Sequence, residues 1–415
     1  MMRFVGLHLK PFSLTQCYLG LLFSVCTLAL VTGCEQAGSP SDTGGEPPVA
    51  VKVNKVTAAE AEKFAKEYLS SIHRKKPSKT LQLVYWDAIV DRVFKDLPNK
   101  RDNVFYKEYS LGGKKILRKL SESIRRETGS GGSYALLKIV RRGKDRHAIF
   151  RLVTGASAPA GGGRINYHNL RLIKRDGQVR ADDIYVARTG SWLSESYRNS
   201  LRPAMLKSQN PHGLFTSQEE KELAGYQLIG EMAKAVLSGN YSEASSIHQQ
   251  LPEDMKKTKT VLATRLLAAE PDEFFKAVEA MLAEYPGSPA VGLRMMDFGD
   301  QQDDLETLKR ASELLEKWTG GDSYIDLNVA AVMLKLGQVD EAAELSSEVD
   351  VKEFDFANPV YQKYRIALAS KDNATLLKCF RIFRDDYNED IKEVLKLDEC
   401  KNFRESLEYV DLKND

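Results

Sequence analysis

The chain has 415 residues, 42% of them hydrophobic and 28% charged, with a formal net charge of +2. One core rarely serves more than roughly 250–300 residues, so more than one folding unit is expected, and the ordinary composition excludes any need to embed the folded part in lipid. The small net charge hides a division. Residues 55–210 hold 33 Lys and Arg against 15 Asp and Glu, whereas residues 211–415 hold 24 against 40, so a basic half is joined to an acidic half.

Arg3 and Lys10 precede an apolar run from Cys17 to Val31, and Thr32-Gly33-Cys34 follows. A positive start, a short apolar run and a small residue before the cut make a secretory signal peptide over residues 1–33. The 15-residue run is too short for a permanent span, which needs about 20 residues. Val31-Thr32-Gly33-Cys34 resembles the lipobox of bacterial lipoproteins. The resemblance implies cleavage before Cys34, a diacylglycerol on its thiol and an acyl chain such as palmitate on its amine; an ordinary signal with a coincidental cysteine is the alternative. Two or three chains, at about 0.8 kcal/mol per buried methylene, anchor stably where one is marginal. Residues 34–54 then read as the lipidated cysteine and a disordered tether rich in Gly, Pro and Ser. Under this reading the chain faces the periplasm in a bacterial cell envelope. Glu35 is not the Asp that retains enterobacterial lipoproteins in the inner membrane, which points to the outer one.

Residues 55–210 form the first expected domain. Thr57-Ala58-Ala59-Glu60 is a capping box, and Ala61, Phe64, Ala65, Tyr68 and Ile72 share one helical face before Pro77 ends the segment. A second helix is expected over 80–96 and a third over about 101–127. Strands follow at 134–140, 147–153, 164–174 and 178–187, separated by turn-forming residues. Three helices and then a curved antiparallel sheet is an α+β layout with helices on one sheet face. That order, with its ending Asp176-Gly177-Gln178-Val179-Arg180-Ala181-Asp182-Asp183-Ile184-Tyr185-Val186, resembles the nuclear transport factor 2-like (NTF2-like) family. Many members hold a small apolar ligand between sheet and helices, so the resemblance implies a possible carrier; others are catalytically empty scaffolds.

Family members that are enzymes use an Asp or His raised toward neutrality by burial. The residues available for that here are Tyr85, Asp87, His147, His168 and Asp183, which no motif groups, so no catalytic residue and no cofactor is assigned. Gly161-Gly162-Gly163 lacks the following Lys-Ser/Thr of a phosphate loop and reads as a hairpin tip. Charge is the stronger signal. Lys114, Lys115, Arg118, Lys119, Arg125 and Arg126 crowd one helix, and Arg141, Arg142, Lys144 and Arg146 crowd one hairpin. They form either a solvated face or an anion-attracting one, whose partner in an envelope is anionic lipid, an acidic protein or the acidic half itself, with no nucleic acid expected.

Residues 216–415 read as one α-hairpin after another. Gly239 and Gly337, 98 residues apart, open matching Gly-x-apolar-x-Glu-Ala segments that run to Ala244 and Ala342. These segments resemble the turn and second helix of the tetratricopeptide repeat (TPR), whose unit is 34 residues; an irregular helical bundle is the alternative. About five divergent hairpins are expected, with one capping helix over 389–412. Trp318, Tyr324, Tyr361, Tyr364 and Phe380 are assigned to inter-helix packing. Cys379 and Cys400 form a disulfide or remain two buried thiols, and no metal framework is expected. Stacked repeats of this kind bind proteins, so the expected function is that of a membrane-anchored, non-catalytic adaptor, with the apolar-ligand carrier as the second reading.

Overall fold

A computed structural model describes residues 55–74, 77–97, 100–129, 131–154, 164–209 and 214–415. Cys34, the signal segment, the tether and Gly161 to Gly163 lie outside these residues. Thr57 caps α1 (Ala58–His73): its hydroxyl accepts from the Glu60 amide, and the Glu60 carboxylate accepts from the Thr57 amide at 2.9 Å. The single helix expected over 80–96 is two, α2 (Pro77–Leu83) and α3 (Trp86–Val93). Between them Val84 bridges to Ala181, and the Tyr85 amide donates to the Ala181 carbonyl at 2.7 Å. The sheet thus takes over backbone groups that a continuous helix would have paired internally. Pro77, expected to end a helix, opens one, where its missing N–H is not needed. With α4 (Val104–Thr128), four α-helices precede the sheet among the described residues, where three were expected.

Five strands follow, β1 (Ser133–Arg142), β2 (Asp145–Val153), β3 (Ile165–Arg175), β4 (Gln178–Val186) and the two-residue β5 (Ser191–Trp192), which sequence reading missed. They pair in chain order as an antiparallel meander. Side chains alternate between two faces. In β2, Ala148, Phe150 and Leu152 join the core under α1 to α4, while Ile149 and Val153 join a different core. A bulge between Leu136 and Lys138 reverses the alternation in β1. Leu136 and Ile139 therefore face the first core, and Leu137 and Val140 face the second.

After α5 (Leu193–Gln209), the chain forms five helix pairs. They are α6 (Ser217–Leu237) with α7 (Tyr241–Gln250), then, past the one-turn α8 (Glu253–Lys256), α9 (Lys259–Ala268) with α10 (Pro271–Glu284). Next come α11 (Pro289–Gln302) with α12 (Leu305–Thr319), α13 (Ser323–Lys335) with α14 (Val339–Ser347), and α15 (Asn358–Ser370) with α16 (Asn373–Asp385). The single closing helix expected over 389–412 is instead α17 (Ile391–Leu395), α18 (Lys401–Arg404) and α19 (Leu407–Asn414).

Four of the pairs turn in the same way. Gly239, Asp303, Gly337 and Lys371 each take a left-handed backbone. The next amide, of Asn240, Asp304, Gln338 or Asp372, donates five residues back, to Ala235, Gly299, Met333 or Ala367, at 2.8–2.9 Å. This 6→1 bond is the Schellman closure of a helix, and the last three of these turns are spaced by 34 residues. The second pair turns through Ala269, Glu270 and Pro271 instead.

The second core is continuous from the sheet into the helix pairs. Ile149, Val153, Ile165, Tyr167, Tyr185 and Ala187 of the sheet region pack in one cluster with Leu262, Phe274, Val291, Leu315 and Tyr324. The sheet is therefore covered on both faces, by α1 to α4 on one and by the helix pairs on the other.

Candidate functional site at the junction of sheet and helix pairs

Buried charges concentrate where the sheet meets the helices. Arg151 interrupts an apolar strand and is 5% exposed. Its guanidinium donates to Asp322 Oδ1 at 2.6 Å and lies 4.6 Å from the centre of the Phe354 ring. The Tyr167 hydroxyl donates to Asp322 Oδ2 at 2.8 Å. Asp322 also caps α13 by accepting from the Tyr324 amide at 3.0 Å. One carboxylate thus joins two strands to the start of a helix. Burial, and then the Asp322 charge, push the Tyr167 hydroxyl pKa far up.

Arg188, just past β4, holds Asp297 of α11 with both terminal nitrogens, at 2.5 and 3.0 Å. Burial alone would raise the Asp297 carboxyl, but Arg188, with Arg164 and Arg294, outweighs it and holds the carboxyl below its ordinary value. Arg202 of α5 pairs with Glu222 of α6 at 2.7 Å. In each pair the cation comes from the basic half and the anion from the acidic half.

Cations also meet carbonyls here. Arg142 donates to the Trp318 carbonyl at 2.6 Å and lies 4.7 Å above that ring, and Lys138 donates to the Gly320 carbonyl at 2.7 Å. Trp318 in turn lies against Tyr167 and Tyr185. It packs against the sheet, not only between helices. Tyr324 packs with Phe354 and Phe356, Tyr361 with Phe383, and Tyr364 with Phe380.

The basic residues singled out from sequence therefore part company. Lys114, Lys115, Arg118 and Arg126 of α4 are exposed, as are Arg141 and Lys144, while Lys119 and Arg125 are half-buried. Arg118 has a loose contact with Glu122 at 3.7 Å, Arg126 donates to Ser123, and Arg141 donates to the Gly143 carbonyl of its own turn. Arg146 is half-buried, and Arg142 is the one of these ten with a hydrogen bond across to the helix pairs.

The five residues considered for catalysis are not brought together. Asp87 is exposed on α3, and Tyr85 lies under the Arg175 guanidinium at 4.5 Å. Asp183 is buried and accepts from the Ser194 hydroxyl at 2.5 Å and the Ser194 amide at 3.3 Å, so it secures the start of α5; burial raises its pKa. His147 meets Asn169 at 2.9 Å, near Trp192, whereas His168 meets the Tyr134 hydroxyl at 3.2 Å in the core under α1 to α4. Burial holds the His168 imidazole down at about 4. In the core under α1 to α4, Phe64, Tyr68, Phe150 and Tyr134 pack ring against ring.

Cys379 and Cys400 stand as separate buried thiols, with burial pushing Cys379 up to about 12. Among the described residues no group of three His, Cys, Asp or Glu side chains is placed to hold a metal, and no helix is long and apolar enough to cross a membrane. Sequence reading missed Arg151, Tyr167, Arg188, Asp297 and Asp322. Arg151 carried a signal: a charge within an apolar strand requires a buried partner. The chain matches no protein family, no curated protein and no solved structure.

Proposed function

We propose that this protein is a membrane-anchored, non-catalytic adaptor, held by lipid on Cys34 and offering its helix pairs to a protein partner. The observation that carries this reading is the repeated Schellman turn at a 34-residue spacing, the unit length of the tetratricopeptide repeat, whose stacked pairs bind proteins. The order of helices and strands before it supports an NTF2-like scaffold, with its interior filled by aromatic rings rather than kept open for a carried ligand.

The junction narrows where the partner sits. The sheet already occupies Lys259 of α9, Asp297 of α11 and Asp322 at the start of α13. Surfaces that remain open include α14, which exposes Asp340, Glu341 and Glu344, and α12, which exposes Glu306, Glu313 and Glu316 beside Lys309, Arg310 and Lys317. The acidic exposed side of α14 selects a partner with a basic contact face there.

Site-specific photo-crosslinkers at Glu313 and Glu344, in the full chain in cells, test this. One protein should be captured at both sites and lost from the membrane fraction with Cys34→Ser. Crosslinking to nothing at either site would sink the adaptor reading, and unchanged fractionation of Cys34→Ser would sink the anchor.

A further inference from the structure

The outer face of α4 combines charge with exposed apolar side chains in a way the junction does not use. This helix has 25 residues and is about 37 Å long at 1.5 Å per residue. Leu117, Leu120 and Ile124 bury one side against the sheet core. On the opposite side, Val104 is 65% and Leu111 83% exposed. Positions 104, 111, 115, 118 and 122 lie within about 40° of one line along the helix, given 100° per residue. Lys107, Lys114, Lys115, Arg118 and Arg126 are exposed around that line, with Lys119 half-buried at its flank, and only Glu108 and Glu122 oppose them on that side.

We infer that this face of α4 lies on an anionic lipid surface, its lysines and arginines over the headgroups and Leu111 and Val104 inserted between them. The chemistry favours a bilayer over an acidic protein. The two apolar side chains stand on the crest of a single convex helix rather than in a groove, and the cations are spread along its length. Adsorption to a membrane depends on summed charge and on apolar area inserted and needs no shape complement, whereas a protein interface needs a packed, desolvated centre.

The inference rests on the reading of the chain as held at a membrane. Cys34 stands about 20 residues before Lys55, and a chain spans at most about 3.6 Å per residue, so a lipid on Cys34 keeps the body within reach of the bilayer. The body is then seated on the bilayer along α4 rather than swinging from one point, with the acidic helix pairs joined to the opposite side of the sheet.

The test uses the mature-length chain from residue 34 with Cys34→Ser, so that no acyl chain contributes. It is mixed with vesicles of equal parts phosphatidylglycerol and phosphatidylcholine, and with vesicles of phosphatidylcholine alone. Co-sedimentation is expected with the anionic vesicles only, and is weakened by salt. Reversing three charges together, Lys114→Glu, Lys115→Glu and Arg118→Glu, should lower partitioning by about a hundredfold or more. Leu111→Ser should lower it by about tenfold. Both variants change solvent-facing groups, so their melting temperatures should match the parent. Absence of binding to anionic vesicles overturns the inference, as does undiminished binding by the triple variant. Capture of an acidic protein through this face without vesicle binding also overturns it. The mass of the Cys34 peptide from membranes is a separate readout: an unmodified cysteine alongside intact vesicle binding defeats the anchor alone.

Discussion

The two faces of the sheet are covered by different means. On one, α1 to α4 come from the same stretch of chain and close over it with apolar and aromatic side chains. On the other, helices from 100 or more residues away bring Asp297 and Asp322 to Arg188 and Arg151. Local cover needs only a matching apolar stripe, because sequence proximity limits where it can land. Distant cover must also find its position, and a buried charge with one partner across the interface penalises every other position, since an uncompensated buried ion is costly.

The largest expected effect breaks the distant face. Asp322→Ala strands the Arg151 guanidinium and the Tyr167 hydroxyl and removes the cap of α13. It should cost about 3–5 kcal/mol in denaturant unfolding. A loss below about 1 kcal/mol would show that the pair does not hold the halves together.

Acid acts on both faces, since burial also holds down the His147 imidazole beside Trp192, but the larger shift is local. His168 lies on the local side with its folded-state pKa at about 4 against 6.5 when free. The unfolded chain therefore binds the proton first, and stability falls as pH drops from 6.5 toward 4. Between pH 6.5 and 4.5 the loss should be about 2–3 kcal/mol, and His168→Gln should flatten the slope. Asp297 lies on the distant side with its pKa held below 3.8. Its contribution is present above 3.8 and is lost only as pH falls further. A stability curve flat from pH 6.5 to 4.5 would contradict the burial of His168.

Arg142 joins the faces more weakly. Arg142→Ala removes a half-buried cation from the Trp318 ring and carbonyl and should cost about 1–2 kcal/mol, with a shift in Trp318 fluorescence. An unshifted spectrum would place that side chain elsewhere in solution.

The smallest effect concerns the turns. Lys371 carries a side chain at a φ of 59°, so Lys371→Gly should raise stability by up to about 1 kcal/mol. Gly337→Ala should lower it by a similar amount. A stabilising Gly337→Ala would dismiss the shared turn.

These turns also explain what could be read from sequence. Gly239 and Gly337 mark their pairs because glycine favours a left-handed backbone. Asp303 and Lys371 adopt the same conformation without a glycine, so their pairs left no mark and the 34-residue spacing stayed hidden. The four long strands lay within two residues of their observed ends because short apolar runs are bounded by turns such as those at Gly143 and Gly177. The break at Val84 was invisible, since its cause is Ala181, nearly a hundred residues later. The junction was legible as opposite net charge and as the lone Arg151 within an apolar strand. That Arg142 reaches Trp318 depends on the bulge before Lys138, which turns Arg142 inward, and local propensity does not encode a bulge's place.

The sheet touches the second helix pair through Lys259, the third through Asp297 and Trp318, the fourth through Asp322 and Tyr324, and the lead into the fifth through Phe354 and Asp355. A row of helix pairs joined only to their neighbours bends at every joint, like a spring. Here one plate is fastened across three successive joints. Pulled from its ends, the row should not lengthen pair by pair but hold its curvature until the plate tears away, and then yield at once.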